Sequence, residues 1–444
     1  MSLQFITGNS GNGKTKYLFN RIVKEAKANP RDNYLVIVPE QFTMQTQRQL
    51  VDLSENKAIM NIDVLSFKRL AYRVFDELGI TNLTVLEETG KNLVLRKLAA
   101  QEADKLGVIG RNLNRIGYIS EVKSLLSELV QYNISPEELG RYIASGRLSD
   151  TLSDKLKDVL VLYEAFEKFM QDKYITAEEI LNVLSNVAEE SAILRNSVIA
   201  FDEFTGFTPI QNQLIKKLFV ISKKIYVTLT IDCREDIFKS RGMQELFDMP
   251  KRTVKSLTEM AAFYGIEVEE PIILDKNYRL AENEELSFME QQFFRKRRCS
   301  FKKVPKHIHI DCLRDPKQEL TKIARRINEL VRNENLRYRD IAIVTGDVNI
   351  YAGYVREIFD KYNIPYFIDA TQEILFHPFI EFIRSIPDIA AQNFSADAVF
   401  RFLRCGFSEL LDSEIDVLEN YVLACGVRGK SAWDKKWVRL PKHK

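Results

Sequence analysis

A glycine-rich loop close to the start of the chain constrains the fold more than any other feature. Residues 8–15 read G-N-S-G-N-G-K-T, which matches the pattern G-x-x-x-x-G-K-[ST]. The loop follows an apolar run over residues 3–6 and precedes a helical pattern over residues 16–28. Because such a loop binds phosphates only where it joins a strand to a helix, these flanks support the match. The sequence therefore predicts an α/β fold of the P-loop NTPase type.

The residue types in this loop suit the binding of a nucleoside triphosphate. Glycines let the backbone aim its N–H groups at phosphate oxygens, and the following helix N-terminus adds partial positive charge. We expect Lys14 to bridge the β- and γ-phosphates of ATP and Thr15 to offer its hydroxyl to Mg²⁺. The candidate ATP-binding residues are Gly8, Asn9, Ser10, Gly11, Asn12, Gly13, Lys14 and Thr15. The alternative interpretation is a glycine-rich turn with a chance lysine.

Apolar periodicity divides the chain into three parts. Short apolar runs alternate with helical patterns over residues 1–80 and 196–280, which is typical of a parallel sheet buried on both faces. Residues 81–195 have apolar side chains at helical spacing, which predicts an all-helical insertion. Residues 281–444 begin a second α/β pattern. Its candidate strands are residues 307–310, 341–344 and 365–368. We expect a RecA-like sheet with a helical insertion, followed by an incomplete second RecA-like domain.

Composition limits the location and the metal chemistry of the chain. The five cysteines are scattered without a C-x-x-C pair, which disfavours a disulfide framework or a zinc or iron–sulfur site in this chain. The first residues lack the features of a secretion signal, and no apolar run is long enough to span a membrane. We expect a cytoplasmic protein without membrane contact. The formal net charge of +2 neither favours nor excludes a polyanionic partner.

Two acidic residues, Asp202 and Glu203, directly follow the apolar run over residues 198–201. The carboxyl ends of parallel strands meet at one edge of a sheet, so both carboxylates should lie near the phosphate-binding loop. We expect Asp202 to hold Mg²⁺ and Glu203 to polarise the water that attacks the γ-phosphate. The alternative is that the acidic pair only caps the helix that begins near Thr208.

The tripeptide Asn-Tyr-Arg at residues 277–279 is a weaker signal by itself. An enzyme that cleaves a triphosphate needs a cation near the transferred phosphoryl group. A guanidinium suits this role because it stays protonated and binds two oxygens at once. We therefore expect Arg279 to act as a catalytic residue beside Glu203.

Taken in order, these motifs resemble those of UvrD-like superfamily 1 helicases. The quoted segments are residues 8–15, 38–43 (VPEQFT), 64–71 (VLSFKRLA), 201–211 (FDEFTGFTPIQ) and 277–279 (NYR). The second and fourth segments are more specifically similar to the B subunits of AddAB-type (RexAB-type) ATP-dependent helicase–nucleases of Gram-positive bacteria. This resemblance spans nearly the whole chain, and its later part resembles the start of a second RecA-like domain.

The resemblance implies a heterodimeric hydrolase that processes double-stranded DNA ends for homologous recombination repair, with a contribution to Chi recognition. It implies an AddA-type motor and nuclease subunit as the partner. In this family the B subunit keeps a nucleotide site without being the helicase. Its nuclease domain and its [4Fe–4S] cluster lie near the C-terminus, and we expect neither among the present residues.

The resemblance also implies contacts with single-stranded DNA at Ser66, Phe67, Lys68 and Arg69. A second candidate is the basic run over residues 295–306, which has interleaved phenylalanines. Basic side chains neutralise phosphates and aromatic rings stack on bases, but a solvated linker explains the same run equally well.

Departures from the pattern of active helicases predict weak motor chemistry. Only seven residues precede Gly8, so we expect the adenine-reading glutamine motif to be missing. Glu235 stands where the third helicase motif has a glutamine that senses the γ-phosphate. A carboxylate that faces a triphosphate would repel it. We therefore expect this chain alone to be a weak ATPase. The alternatives are an autonomous superfamily 1 helicase, a small-molecule P-loop kinase and a scaffold that binds ATP without turnover.

Overall fold

The computed structural model of the chain contains two compact units, unit 1 (Met1–Ile308) and unit 2 (His309–Lys444). The structure describes residues 1–81, 84–108, 110, 116–146, 148–171, 174–295, 299–370 and 374–438. None of the helices within these ranges combines the length and the apolar character needed to cross a lipid bilayer.

A parallel sheet of seven strands lies at the centre of unit 1. The strands of unit 1 are β1 (Ser2–Gly8), β2 (Tyr34–Ile37), β3 (Ile62–Leu65), β4 (Val85–Leu86), β5 (Ile175–Thr176), β6 (Val198–Phe201), β7 (Lys224–Thr230), β8 (Glu267–Val268) and β9 (Ile272–Leu274). The order along the sheet is β3-β2-β6-β7-β1-β8, and β9 also pairs with β1. Each pairing is parallel. The predicted α/β class with a parallel sheet is confirmed.

Helices cover both faces of this sheet. The helices of unit 1 are α1 (Lys14–Ala28), α2 (Thr43–Leu53), α3 (Phe67–Leu78), α4 (Glu88–Gln101), α5 (Ile116–Gln131), α6 (Pro136–Ala144), α7 (Asp150–Met170), α8 (Ile180–Val187), α9 (Pro209–Ile221), α10 (Asp248–Phe263) and α11 (Glu284–Gln292). In β2, Leu35 and Ile37 belong to one apolar core and Val36 to the other, because successive side chains of a strand point to opposite faces. Helices α1 and α2 contribute to the core on the Val36 face, and α3, α8, α9 and α10 to the opposite core.

The region between β3 and β6 is mostly helical. Helices α4, α5 and α7 pack around a separate core that contains Leu95, Leu126 and Phe166. The two short strands β4 and β5 pair in parallel within the same region, so the prediction of an all-helical insertion is wrong at these residues. Helix α8, in contrast, contributes Ile180 and Leu184 to a core against the main sheet. The end of the helical region is therefore packed together with the sheet.

The described part of unit 2 consists of helices joined by segments without regular secondary structure. Its helices are α12 (Pro316–Asn333), α13 (Val348–Lys361), α14 (Pro378–Ala391), α15 (Ala396–Leu403), α16 (Asp412–Cys425) and α17 (Lys430–Trp433). Helices α12 and α13 share a small core that includes Leu320, Ile327 and Ile358.

The predicted strands of the last region are wrong. Residues 307–310, 341–344 and 365–368 form no strand, and the described part of unit 2 contains none. The side chains of Ile310, Val344 and Phe367 in or beside these segments are almost fully exposed. A strand requires a hydrogen-bonded neighbour as well as an apolar sequence, and these segments have no such neighbour among the described residues.

Candidate nucleotide-binding site

The glycine-rich loop connects β1 to α1 at the carboxyl end of the sheet, as the sequence predicts. Two of its glycines are required by the close approach of another segment. A Cβ atom at Gly8 would lie 2.5 Å from the carbonyl oxygen of Leu274, and one at Gly11 would lie 2.7 Å from Asn277 Oδ1. Gly11 also has a φ of 90°, which larger residues rarely adopt. A side chain at Gly8 or Gly11 would therefore collide with the segment that contains Leu274 and Asn277.

The Asn-Tyr-Arg segment, residues 277–279, forms one wall of this loop. The Tyr278 N–H donates a hydrogen bond to the carbonyl oxygen of Gly11 over 3.0 Å. The Asn277 side-chain amide donates to the carbonyl oxygen of Ser10 over 3.0 Å. Both contacts hold the segment against the loop, which also brings Arg279 to the site. The structure therefore unites two motifs that lie more than 260 residues apart in the sequence.

Lys14 is the cation of the loop. Its ammonium donates to the carbonyl oxygens of Gly8 and Asn9 at 3.1 and 3.0 Å. Burial lowers the pKa of Lys14, and the negative charges of Asp202 and Glu203 oppose this effect. An ammonium has three N–H donors, so one remains for a phosphate oxygen.

Asp202 follows β6 and is almost completely buried beside the loop. Its Oδ1 atom accepts hydrogen bonds from the hydroxyls of Thr228 and, at 3.4 Å, Thr15. Its Oδ2 atom is buried and has no hydrogen-bond partner among the described residues. Burial raises the pKa of the Asp202 carboxyl. A buried carboxylate oxygen without a partner fits a metal ion or a metal-bound water, because either would compensate its charge.

Glu203 adopts a strained backbone conformation, with a φ of 64°. Residues other than glycine, asparagine and aspartate rarely have a positive φ, and such strain is concentrated at functional sites. The Thr15 hydroxyl lies 3.3 Å from Glu203 Oε1. The alternative that the acidic pair caps the next helix is wrong, because Thr208 caps α9 by accepting from the Gln211 N–H.

These groups line one cavity of about 750 Å³. Its lining includes the predicted residues Ser10, Gly11, Gly13, Lys14, Thr15, Asp202, Glu203 and Arg279. It also includes Tyr278, which belongs to the predicted Asn-Tyr-Arg segment. Thr228 and, from α2, Gln49 and Asp52 line the cavity too, although the sequence did not single them out as site residues. Thr228 and Gln49 carry no recognisable local signal, because only the packing of β7 and α2 beside the loop brings them to the cavity.

Two asparagines of the loop, Asn9 and Asn12, have buried side chains that the protein itself binds. The Asn12 Nδ2 donates to the carbonyl oxygen of Leu274 over 2.6 Å, and Asn9 makes two contacts. The Asn9 Oδ1 atom accepts from the Cys233 N–H over 3.0 Å, and its Nδ2 donates to Glu290 Oε1 over 2.6 Å. The side chain of Asn9 is therefore not available to a nucleotide. The predicted residues Gly8, Asn9 and Asn12 are not part of the cavity lining.

Glu235 does not have the predicted position. Its carboxylate lies 2.8 Å from the ammonium of Lys251, which is buried on α10, and it is not part of the cavity lining. The expectation that Glu235 faces and repels a triphosphate is wrong, because Lys251 holds this side chain elsewhere.

The predicted DNA-contact residues separate into two buried and two exposed side chains. The Ser66 hydroxyl donates to Glu40 and caps α3, and Phe67 lies in the apolar core. The rings that pack against Phe67 are Phe201, Phe204 and Phe207. This corrects the prediction for the side chains of Ser66 and Phe67, which are internal. Lys68 and Arg69 are exposed.

The basic run is only partly described. Arg295 binds the buried Asp232, with its guanidinium 2.7 Å from the carboxylate, so this arginine is not free for a phosphate backbone. Residues 296–298 lie outside the described residues.

Comparison with known proteins identifies the family. The sequence matches the family model described as "ADDB, N-terminal" over residues 5–290. The chain belongs to the AddB family. The resemblance that its motifs predict is thereby confirmed. The matched range contains the whole candidate nucleotide site, from the loop to the Asn-Tyr-Arg segment.

Relatives of this AddB-family chain are considerably longer. It is similar to the B subunit of the ATP-dependent helicase/deoxyribonuclease of Lachnoclostridium phytofermentans, with 39% identity over 99% of this chain and 39% of the relative. Proteins of the same name from Clostridium novyi and Caldanaerobacter subterraneus are 32% and 34% identical over 98% of this chain and 38% and 37% of their own lengths. The chain thus spans about two fifths of these relatives.

Proposed function

We propose that unit 1 is a RecA-like P-loop domain that binds ATP with Mg²⁺ and belongs to the nucleotide-binding, DNA-contacting subunit of an ATP-dependent helicase–nuclease. The observation that carries this proposal is the convergence of Lys14, Thr15, Asp202 and Glu203 on one cavity at the carboxyl edge of the parallel sheet. Ligands of α/β proteins bind at this edge.

The residues present fit ATP and Mg²⁺. The loop backbone and Lys14 supply donors for phosphate oxygens, and the start of α1 adds its dipole. The Thr15 hydroxyl and the unpartnered Oδ2 atom of Asp202 supply oxygen ligands for Mg²⁺. Bound Mg²⁺ would neutralise negative charge on the phosphates. Thr228 orients the Asp202 carboxylate, because its hydroxyl occupies the other oxygen.

The two predicted catalytic residues fit hydrolysis of the γ-phosphate. Glu203 lies at the cavity as a base for an attacking water, and Arg279 supplies a permanent positive charge at the same cavity. The exposed ring of Tyr278 lies beside Gly13, where it can stack on a nucleobase. The ammonium of Lys276 lies 4.9 Å from the centre of this ring.

We propose that unit 2 corresponds to the beginning of a second RecA-like domain. Its order of apolar segment, α12, apolar segment and α13 supports this assignment, because a βαβ unit has the same order. The proposal concerns this order alone, since the apolar segments form no strands.

For the whole protein we propose a heterodimer with an AddA-type motor and nuclease subunit. We propose that it acts in the cytoplasm on double-stranded DNA ends and single-stranded DNA during homologous recombination repair, with Chi recognition. The relatives are named as B subunits, which supports the existence of a partner. Exposed Lys68 and Arg69 are the residues we propose for DNA contact. We place the nuclease and the [4Fe–4S] cluster outside this chain.

The test is ATP affinity and ATPase rate, with and without DNA ends. Lys14→Ala should weaken ATP binding at least about tenfold, because it removes the charge that contacts the phosphates. Glu203→Gln should keep ATP binding and abolish any turnover. Lys24→Ala is the matched control, because Lys24 is an exposed lysine on the same helix. Equal ATP affinity of the Lys14→Ala and Lys24→Ala variants would contradict the proposed site.

A further inference from the structure

Asn9 connects the phosphate-binding loop to two other parts of unit 1. Its side-chain oxygen accepts from the Cys233 N–H, in the loop that follows β7. Its side-chain amide donates to Glu290 on α11 over 2.6 Å. The side chain is only 5% exposed, so water does not compete effectively with these hydrogen bonds. The position of the loop backbone at Asn9 therefore depends on where α11 lies.

A second set of contacts ties the β7 loop to the same helix. Asp232 is buried and accepts from the guanidiniums of Arg234 and Arg295, both at 2.7 Å at the closest approach. Arg234 also donates to the carbonyl oxygen of Gln291, the neighbour of Glu290. Burial raises the pKa of the Asp232 carboxyl, but the two arginines outweigh it and lower the pKa to about 2.

The phosphate-binding loop, the β7 loop and the C-terminal half of α11 thus form one hydrogen-bonded group. Glu290 reaches the phosphate-binding loop directly. Asp232 is attached to the end of α11 through Arg234, which donates to the Gln291 carbonyl oxygen, and through Arg295, which follows the helix. Ser10, the residue after Asn9, lines the cavity. A nucleotide that fixes the loop backbone there also favours the position of α11 in which Glu290 accepts from Asn9. By thermodynamic reciprocity, a correctly placed α11 must raise the affinity for the nucleotide by the same factor.

We propose that Asn9 and Glu290 are positioning residues that couple ATP binding to the packing of α11. Neither side chain contacts the triphosphate in this proposal. Glu290 acts through Asn9 on the loop backbone, and the loop backbone binds the phosphates. The inference rests on the proposed ATP binding by unit 1. As a consequence, the packing of α11, the last helix described in unit 1, depends on whether the nucleotide site is occupied.

The test uses Glu290→Ala and Glu290→Gln. The alanine variant leaves the Asn9 amide without its acceptor and should weaken ATP binding about three- to tenfold, the effect of one hydrogen bond. The glutamine variant keeps the Oε1 acceptor and should restore the affinity. Glu284→Ala is the matched control, because it removes the same charge from an exposed position on α11. The second readout is hydrogen exchange of the α11 amides with and without ATP.

In the unaltered chain and in Glu290→Gln, ATP should slow exchange in α11, and in Glu290→Ala it should not. A purely structural role of Glu290 would change α11 exchange equally with and without ATP. Equal affinities of Glu290→Ala and Glu284→Ala would overturn the inference, and so would weaker binding by Glu290→Gln to the same extent as Glu290→Ala. Absence of ATP binding by the unaltered chain would instead overturn the proposed function itself.

Discussion

Two apolar segments of similar sequence, one in each unit, differ in secondary structure and in burial. Residues 34–37 of unit 1 read YLVI, and residues 341–344 of unit 2 read IAIV. The first segment is β2, which lies between β3 and β6 and is completely buried. The second belongs to no strand, and Val344 is 92% exposed. An apolar run therefore becomes a strand only where neighbouring strands satisfy its backbone and helices cover both faces.

The acidic residues after such segments differ in the same way. Asp202 follows β6 and lies buried at the candidate nucleotide cavity, with one carboxylate oxygen left without a partner among the described residues. Asp347 follows residues 341–344 and only caps α13 by accepting from the Asn349 N–H over 2.9 Å. Both positions match the pattern of an acidic residue after a strand. Only Asp202, at the edge of a paired sheet, lines the candidate cavity.

The largest expected effect comes from a charge placed in each segment. Val36→Asp puts a carboxylate into a position that is 0% exposed, so it should lower the free energy of unfolding of unit 1 by at least about 4 kcal/mol. Val344→Asp should change stability by less than about 0.5 kcal/mol, because its side chain is in water. Urea unfolding followed by circular dichroism measures both.

Comparable loss of stability in the two variants would contradict the difference between the two segments. It would mean that residues 341–344 are paired and buried in solution. An unaffected Val36→Asp variant would likewise contradict the central place of β2 in the sheet.

The sequence predicts most of unit 1 because several signals agree there. The strand signals at β1, β2, β6 and β7 come with the phosphate-binding loop, which requires a strand before it and a helix after it. Helix starts were also predictable, since the Ser135 cap and the proline after it are local features. Composition alone could not predict that the apolar runs of unit 2 form no strands, because strand pairing depends on residues far away in the sequence.

The second-largest expected effect comes from replacing Asp202, compared with replacing Asp347. Asp202→Asn should weaken Mg²⁺-dependent ATP binding about ten- to hundredfold, because a ligand or orienting group of the metal is lost. Asp347→Asn should leave it unchanged, since asparagine also caps helices. Isothermal titration calorimetry at several Mg²⁺ concentrations measures the difference.

A pH series sharpens this test. Burial raises the pKa of Asp202, so its carboxylate becomes protonated at a higher pH than an exposed aspartate does. Protonation removes the charge that attracts Mg²⁺. ATP binding with Mg²⁺ should therefore weaken as the pH falls through this raised pKa, and Asp202→Asn should lose this dependence. If ATP binding by the unaltered chain and by Asp202→Asn had the same pH dependence, a role of Asp202 in binding Mg²⁺ would be contradicted.

Only those residues of the candidate site that belong to sequence motifs could be predicted from the sequence. Lys14, Thr15 and Asp202 carry motif signals, and the structure places them together. The partner of Glu235 was not predictable, because Lys251 lies on a helix whose packing no local pattern reveals. The same holds for the contact of Asn9 with Glu290, which are 281 residues apart.

The smallest expected effect tests whether local signals work equally in both units. Ser135 caps α6 in unit 1 and Asp315 caps α12 in unit 2, where it accepts from the Gln318 N–H over 2.8 Å. Replacement of either by alanine should cost about 1 kcal/mol, and replacement by asparagine should cost almost nothing. Urea unfolding of the four variants gives these values.

Equal costs at the two caps would show that helices of unit 2 depend on the same short-range contacts as those of unit 1. The difference between the units would then lie in strand pairing alone. A negligible cost for Asp315→Ala beside a normal cost for Ser135→Ala would mean that α12 is held by its core with α13 rather than by its cap. In that case the two units would differ in their helices as well as in their strands. The capping residue, a local sequence signal, would contribute to helix stability in unit 1 but not in unit 2.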